Sequence, residues 1–492
     1  MAGTPWFTPG DAQQEVERVV RHADSVIWKS PTGQRFNLDL PLSVYPPRED
    51  TDLLAGVLQR CRLPSGSSCL EIGCGSGALS LFASSLGWRV VSCDVNPLAV
   101  AAARGHALRY GLKVDVREGG PGPSVDGFPS QWGGDQTYRL VLWNMPYLRP
   151  PDDMNEAHLG PLEEAALTDT DDVGLFPRFV ERLSSTHLLS RDGVALVVLS
   201  SAGGLDRAQS TAWRAGLAAK EVAFHEFEDG ERVGVLALWH PFSEAARIRL
   251  ETISSTNTSL LLGDQPPGTS MRTDEQTHGR GRHAHTWSSS PDSLEMSWVL
   301  DDGPNVEHHP LHQVVFGSAI VRYLNQCTGA EDHPFCLKWP NDVYVRRSKD
   351  GWVKCGGILY EMASKGQRHR LVVGLGLNAT GSPGSAFGTL NDGGLHVSVQ
   401  QLAEEVDAIV CSLHDAPPFL FLEDIDRFEG VAATFLRGVE LLGPLVLDGH
   451  AAKDPALQPS GWLSVSVGGR REDLEDSVGL VWLGLQNGVE NN

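Results

Sequence analysis

Four cations in the second half of the chain are of the types that bind anionic oxygens. Arg280 and Arg282 alternate with Gly279 and Gly281 in QTHGRGRHAHTW, residues 276–287. Glycine lets a backbone approach a phosphate closely and take φ > 0. A guanidinium offers a planar fork of donors to anionic oxygens. A loop this basic in an acidic protein is expected to order around an anion. Lys338 and Lys354 flank the turn holding Asn341 and Asp342 in LKWPNDVYVRRSKDGWVKCGGILYEM, residues 337–362. On spacing alone, that second stretch fits a plain hairpin with a polar turn as well as it fits a ligand site.

The first half carries a different pattern. Residues 69–72 are a short apolar run, followed by Gly73-Cys74-Gly75-Ser76-Gly77-Ala78, a helical stretch at 79–86, and a run at 89–93 ending in Asp94. This reads as a nucleotide-binding βαβ unit, with glycines for close approach and a carboxylate 94 − 73 = 21 residues on for ribose hydroxyls. The same pattern fits a dinucleotide enzyme. Residues 138–143, YRLVLW, then end in Asn144-Met145-Pro146-Tyr147, where the carboxyl end of a strand meets ligand in open α/β sheets. Asn144 offers an acceptor to an NH₂ group, the carbonyl fixed by Met145-Pro146 offers another, and Tyr147 can stack on a planar amide or base. Such a site holds an amide or amine nitrogen for in-line attack on a methyl group.

The positioning elements follow from periodicity. Residues 13–23 are expected to be a short helix in a polar lead-in spanning 1–35. Pro46 and Pro47 precede a helix that Asp50 or Thr51 can cap and that carries Leu53, Leu54, Val57 and Leu58. Residues 194–200 and 233–239 read as strands, and His240-Pro241 breaks the pattern before a boundary near 243–246. In the second half, 248–253 reads as a strand and 309–327 as a helix, with Leu311, Val315, Ala319 and Tyr323 four apart. Residues 337–339, 343–345 and 358–360 read as strands around the Pro340-Asn341-Asp342 turn and a charged tip at 346–351. Beyond residue 426 come short apolar runs at 442–447, 462–467 and 478–485, then a tail at 488–492 that is expected to fray.

The GRGR loop, the KWPND turn and the K-x-x-G-I-L after it resemble the biotin protein ligase family. Ser255-Thr256-Asn257, Ser297, the G-x-G-x-N run ending at Asn378 and Leu390-Asn391-Asp392 extend the likeness over residues 248–400, in the family's order. The resemblance implies adenylation of biotin by MgATP, then attack by a lysine of a carboxylase biotin carboxyl carrier domain. It implies a biotin and ATP site made of Ser255, Thr256, Asn257, Gln276, Gly279, Arg280, Gly281, Arg282, Trp287, Lys338, Trp339, Asn341, Lys354, Gly357 and Asn378. Lys354 would contact the carboxylate and phosphate oxygens. Arg280 and Arg282 would close over the intermediate, and Trp287 would cover the adenine. Asn341 would face phosphates or metal, and Asp342 would orient the incoming amine. Lys354, Arg282 and Asp342 are the catalytic candidates. Ala284 and His285 stand where many members carry a glycine and another polar residue, which implies a stiffer or pH-sensitive loop. A lipoate ligase is the enzymatic rival.

The glycine loop, Asp94, N-x-P-Y and PPREDTDLL resemble the S-adenosylmethionine-dependent methyltransferases that modify the glutamine of translation release factors. That likeness implies S-adenosylmethionine held by Glu71, Gly73, Gly75, Gly77, Asp94 and Asn144. Asn144 would be catalytic, with Asn144, Pro146 and Tyr147 around the methyl acceptor. A release factor and a small activating subunit would be the partners. The usual motif is N-P-P-Y, and Met145 departs from it. Adenine-N6 methyltransferases of nucleic acid share the motif, and a non-catalytic docking domain is the other reading.

The fold expected is an α/β Rossmann-like methyltransferase domain at 36–244, an α+β ligase domain with a class II synthetase-like mixed sheet at 245–425, and a small β-rich domain at 426–492. Length suggests three domains. The 492 residues carry 40 basic and 62 acidic side chains, a net charge of −22. That balance opposes nucleic acid and anionic membrane as partners and weighs against a DNA-binding regulator. The eight cysteines form no C-x-x-C pair, so they read as free thiols in a reducing compartment. No leader or membrane-length apolar run is visible, and the expectation is a cytoplasmic protein. His278, His283, His285, His308, His309 and His312 lack Cys or acidic partners in the sequence pattern, and no resident metal site is expected.

Overall fold

The computed structural model describes residues 24–41, 43–120, 136–146, 174–228, 230–287, 292–347, 351–381, 384, 386–420 and 428–485. The helix expected at 13–23, Tyr147 and the tail at 488–492 lie outside these residues. The described chain forms two compact units. The first holds residues up to 241 and those from 416 to 420, and the second holds the rest.

The first unit opens on a hairpin, β1 (Asp24–Lys29) with β2 (Arg35–Leu40). Trp28, Phe36, Leu38 and Leu40 are buried. Residues 24–35 are therefore not a polar lead-in. Alternating apolar side chains at Val26, Trp28, Phe36 and Leu38 give them a pleated face to bury. The chain continues through α1 (Glu49–Arg60), β3 (Ser68–Ile72), α2 (Ala78–Ser85), β4 (Arg89–Asp94), α3 (Pro97–Tyr110), β5 (Val114–Glu118) and β6 (Tyr138–Asn144). It ends with α4 (Leu175–Ser185), β7 (Leu189–Ser200), α5 (Leu205–Arg214), β8 (Ala218–Glu226) and β9 (Arg232–Trp239). The sheet has seven strands in the order β5-β4-β3-β6-β7-β9-β8. β5 through β7 run parallel, and β9 is antiparallel to both its neighbours. Strands buried on both faces read as continuous apolar runs, as Leu140–Trp143 does. Strand order reverses between β3 and β6, so their carboxyl ends open a crevice that holds Gly73 and Asn144.

Residues 416–420 also belong to this unit, although the sequence places them in the ligase domain. Leu420 bridges Cys61, Arg62 N donates to Phe419 O at 2.7 Å, and the Arg139 guanidinium lies 4.5 Å from the Phe419 ring centroid. Nothing in the composition of APPFL marks that return.

The second unit begins β10 (Arg247–Ile253), α6 (Thr256–Leu262), β11 (Ser270–Gln276), β12 (Gly279–Arg280), β13 (Thr286–Trp287) and β14 (Ser293–Gly303). It continues α7 (Leu311–Thr328), β15 (Phe335–Lys338), β16 (Asp342–Arg347), β17 (Gly351–Lys365), β18 (Arg368–Asn378) and α8 (Val399–His414). The order is β10-β11-β14-β18-β17-β16-β15, and only β10–β11 is parallel, so the sheet is mixed. Then α9 (Phe428–Leu442) leads into β19 (Leu445–Leu447), β20 (His450–Leu457), β21 (Leu463–Val467), β22 (Arg470–Leu474) and β23 (Leu480–Trp482), an antiparallel sheet of order β22-β21-β20-β19-β23. The region after 426 is thus a helix before it is a sheet, and it groups with the second unit instead of standing apart. A Cβ on Gly438 of α9 would collide with Leu337 O of β15, which fixes how closely that helix lies on the strand. No helix among the described residues is long and apolar enough to cross a membrane.

Candidate active site

One face of the mixed sheet is floored with glycine. Gly357 pairs with Gly376 and Leu359 with Gly374 across β17–β18, while Glu295 and Ser297 of β14 face Gly376 and Gly374. Directly opposed residues share a face, so this patch lacks side chains at its centre. Trp287 fills it. A Cβ on Gly376 would sit 2.5 Å from the Trp287 ring, and one on Gly357 would sit 3.4 Å away. Trp287 Nε1 donates to Glu295 Oε1 at 3.3 Å.

Lys354 reaches that face because of one extra residue. Val343 pairs with Gly356, but the next residue of β16, Tyr344, pairs with Lys354. Cys355 is the unpaired residue of a β-bulge, and the bulge shifts the inside–outside alternation by one. Lys354 therefore joins Gly357, Leu359 and Glu361, while buried Cys355, Ile358 and Tyr360 pack on the other side. Lys354 Nζ lies 2.6 Å from Asp342 Oδ1 and 5.9 Å from the Trp287 ring centroid.

The polar end of the cavity is built at the start of α6. Ser255 caps that helix. Gln276 Oε1 accepts from Thr256 N at 2.8 Å and from Thr256 Oγ1 at 3.2 Å. Thr256 Oγ1 and Ser297 Oγ are 2.7 Å apart, and Ser297 Oγ donates to Asn257 Oδ1 at 2.6 Å. Asn257 Nδ2 donates to Glu361 Oε2 at 3.0 Å. A buried network of this kind suits a ligand carrying both donors and acceptors, because leaving such groups unmatched costs about 1–3 kcal/mol each.

The arginine loop is a small hairpin with its own backbone order. Gly279 pairs with Trp287 and Arg280 with Thr286, and Gly281 N donates to His285 O at 2.8 Å. The expectation that it orders only around an anion is corrected on this point. Gly279 is required because a Cβ there would meet Trp287 O at 2.6 Å. His283 takes the left-handed φ of 51° and lies 3.7 Å from Asp476 of the C-terminal sheet. Arg280 pairs with Glu361 at 3.0 Å. Arg282 and Lys338 have no carboxylate within ion-pair distance among the described residues. Burial pulls both their pKa values down, with Asp342 opposing it in each case.

The cavity has a volume of about 330 Å³. It is lined by Ser255, Thr256, Asn257, Gln276, Arg280, Gly281, Arg282, Trp287, Lys338, Asn341, Asp342, Lys354, Gly357 and Asn378, which the sequence singles out. Two sequence candidates do not line it. Trp339 is fully buried on the opposite face and donates through Nε1 to Gly461 O at 3.1 Å, because strand alternation turns it away from its neighbour Lys338. Gly279 serves hairpin closure. Asn341 lines the cavity, yet its Nδ2 donates to Ile358 O at 2.8 Å, so it holds the turn as well. The Leu390-Asn391-Asp392 match is structural. Leu390 is buried, and Asp392 forms a capping box with Thr389. Sequence reasoning misses Glu295, Glu361, Phe387 and the Asp476–Gly479 turn. Glu361 and Glu295 each left a signal, the two-residue step from Leu359 and from Ser297.

In the first unit, Gly73, Gly75 and Gly77 have φ of 64°, 51° and 79°, backbone that favours glycine. Asp94 Oδ2 accepts from Gly75 N at 2.8 Å and Oδ1 from Asn96 N at 2.9 Å, which ties the carboxylate to the loop. Burial raises its pKa against those hydrogen bonds. Exposed Val95 offers an apolar surface beside it. Asn144 ends β6 beside Gly73, and its Oδ1 is buried with no hydrogen-bond partner among the described residues. Met145 is buried, so the departure from N-P-P-Y falls in the core, and Pro146 follows it out of the strand.

Glu71 lies beneath the loop, accepts from Ser80 Oγ, and has its pKa pushed up to about 8, chiefly by burial. The folded state therefore keeps a proton that the unfolded chain releases near its ordinary value of 4.5. The stability linked to this group is complete below that value and is lost as pH rises through about 8. Glu71→Gln should flatten that fall in a pH series of thermal melts, and an unchanged slope would contradict the buried, protonated carboxyl.

Residues 249–378 match the family model described as Biotin/lipoate A/B protein ligase family. The chain is 33% identical over 157 residues to a biotin–protein ligase of Schizosaccharomyces pombe, covering 28% of this chain and 25% of that protein. Its N-terminal part is similar to a release factor glutamine methyltransferase of Geobacter sulfurreducens, 33% identical over 112 residues, covering 22% of this chain and 36% of the relative. A biotin protein ligase of Aquifex aeolicus solved with biotin and ATP aligns with 48% of this chain and 97% of its own, at 25% identity and a TM-score of 0.38. The chain spans a quarter to about half the length of the curated ligases it matches.

Proposed function

We propose that the second unit, which holds the biotin/lipoate ligase match at 249–378, activates biotin with ATP and transfers it to a lysine of a carboxylase biotin carrier domain. The observation that carries this reading is the cavity itself, where the Thr256–Ser297–Asn257 network and the cations Arg282, Lys338 and Lys354 line one space. The network suits the ureido ring, whose N–H groups and carbonyl need matched partners. The dithiolane of lipoate has no such groups, which favours biotin.

In the first step the biotin carboxylate attacks the α-phosphorus. A P–O bond forms, the bond to the β-phosphate bridge breaks, and pyrophosphate leaves. In the second, a neutral lysine amine attacks the acyl carbon, a C–N bond forms, the C–O bond to AMP breaks, and the nitrogen's proton passes to water. Both reactants of the first step are anionic. A cation about 4 Å from a developing charge is worth about 4 kcal/mol at an effective dielectric near 20, so Lys354, Lys338 and Arg282 lower that barrier. ATP would come as its Mg²⁺ complex, in which the ion would neutralise part of the phosphate charge. Among the described residues no group of three His, Cys, Asp or Glu side chains could hold a resident metal. Asp342, paired with Lys354, stands ready to orient the incoming amine. Trp287 on the glycine floor offers a ring for adenine. Incubation with ATP, an acceptor domain and either biotin or lipoate tests the reading. Labelling with lipoate and not biotin would overturn it.

The first unit binds S-adenosylmethionine across the Gly73–Gly77 loop and Asp94, and presents a planar amide to it at Asn144 and Pro146. The acceptor is a glutamine amide of a protein of the release-factor kind, and a small activating subunit is a candidate partner. The buried Asn144 Oδ1 supports an amide N–H donor at that position. Asn144→Ala should lower methyl transfer by about a hundredfold or more, while Met145→Pro leaves it near wild type. Absence of S-adenosylmethionine binding at millimolar ligand, by calorimetry, would leave a docking domain instead.

A further inference from the structure

We propose that Glu361 is the positioning residue that couples the polar floor of the cavity to the arginine hairpin, an inference that rests on the ligase reading above. Its two carboxylate oxygens are divided between two elements. Oε2 accepts from Asn257 Nδ2 at 3.0 Å, and Oε1 pairs with Arg280 Nη2 at 3.0 Å. Asn257 belongs to α6 and to the chain of hydrogen bonds through Ser297 and Thr256 to Gln276. Arg280 opens the hairpin that carries Arg282 and Trp287.

The Cys355 bulge makes this possible, because it places Glu361 on the same face as Lys354. The Glu361 side chain is 16% exposed and that of Arg280 is 47% exposed. The carboxylate is therefore the more buried partner and the guanidinium the more exposed one. Arg282, two residues on, has no such partner among the described residues. The two arginines thus divide their roles. Arg280 anchors the hairpin to the sheet, and Arg282 remains for the anionic ligand. A ligand that takes the Asn257 amide leaves Glu361 to Arg280 alone, and a less shared carboxylate makes the stronger charge-assisted bond. Filling the polar floor tightens the hairpin that covers the reacting phosphate.

The test uses the full chain and biotin-dependent ATP–pyrophosphate exchange. Failure of the wild type to exchange would refute the ligase reading, not the coupling. With exchange established, Glu361→Gln and Arg280→Ala should each raise the KM for biotin by about tenfold, with kcat within about twofold. Each should also raise AMP release in the absence of acceptor, as the loosened hairpin admits water. The double variant should be no worse than the weaker single, because the residues act as a unit. Additive effects on KM, or a wild-type KM in both singles, would overturn the proposal. Arg280→Ala lies on a half-exposed hairpin, so AMP leakage from that variant alone, with an unchanged thermal midpoint, still decides the question if Glu361→Gln does not fold.

Discussion

Lys354→Gln should slow biotin-dependent ATP–pyrophosphate exchange by about two to three orders of magnitude, the range seen when one preorganised electrostatic group is removed from a reacting centre. Three features single out Lys354 among the cavity's cations. The bulge aims it at the glycine floor, its ammonium is held 2.6 Å from Asp342, and it stands beside Trp287. Glutamine keeps most of the side-chain length and removes the charge, so thermal midpoint and biotin binding by calorimetry serve as controls. Lys338→Gln should have the smaller effect, since Lys338 lies at the end of β15 and faces the Tyr344 ring at 5.8 Å. Exchange within threefold of wild type for Lys354→Gln would remove this residue from the chemistry.

The second large effect is steric. Gly374→Ala places a methyl group on Asn257 Oδ1 and Cγ. Asn257 cannot yield without breaking its bonds to Ser297 and Glu361. A displaced Asn257 no longer meets the ligand, and losing one or two hydrogen bonds to it at about 1–1.5 kcal/mol each corresponds to a loss in biotin affinity of roughly 5- to 150-fold. ATP affinity should change little. Calorimetric titration with each ligand separates the two, and unchanged biotin affinity would mean that Asn257 is not in contact with it.

The cavity-lining residues were legible in the sequence where type and local spacing fix position. Arg280 to Arg282, Lys338, Asn341, Asp342 and the lysine at 354 line one cavity, as do Ser255, Thr256, Asn257 and Gln276. What was not legible depends on register. The bulge at Cys355 is one ordinary residue in an apolar strand, and nothing in its identity announces that the alternation shifts there. Trp339 could have been excluded, since a strand that turns Lys338 inward must turn its neighbour outward. Glu361 was visible by the same rule once the alternation was counted from Leu359. The hairpin at 24–40 was missed because a charged, proline- and glycine-containing turn masks the alternation of Trp28, Phe36 and Leu38. The Asp476–Gly479 turn reaches the cavity from another sheet, and only tertiary packing brings it there.

The return of residues 416–420 to the first unit has a consequence for how the two halves are joined. The first unit is built from two separate stretches of chain, so a single scission after Pro241 would not release all of it on one fragment. The ribosome must synthesise the second unit's mixed sheet and α8 before the last piece of the first unit emerges, so completion of the first unit waits on translation of its partner. A gene truncated between the two would yield an amino-terminal product lacking the backbone that Cys61 and Arg62 pair with.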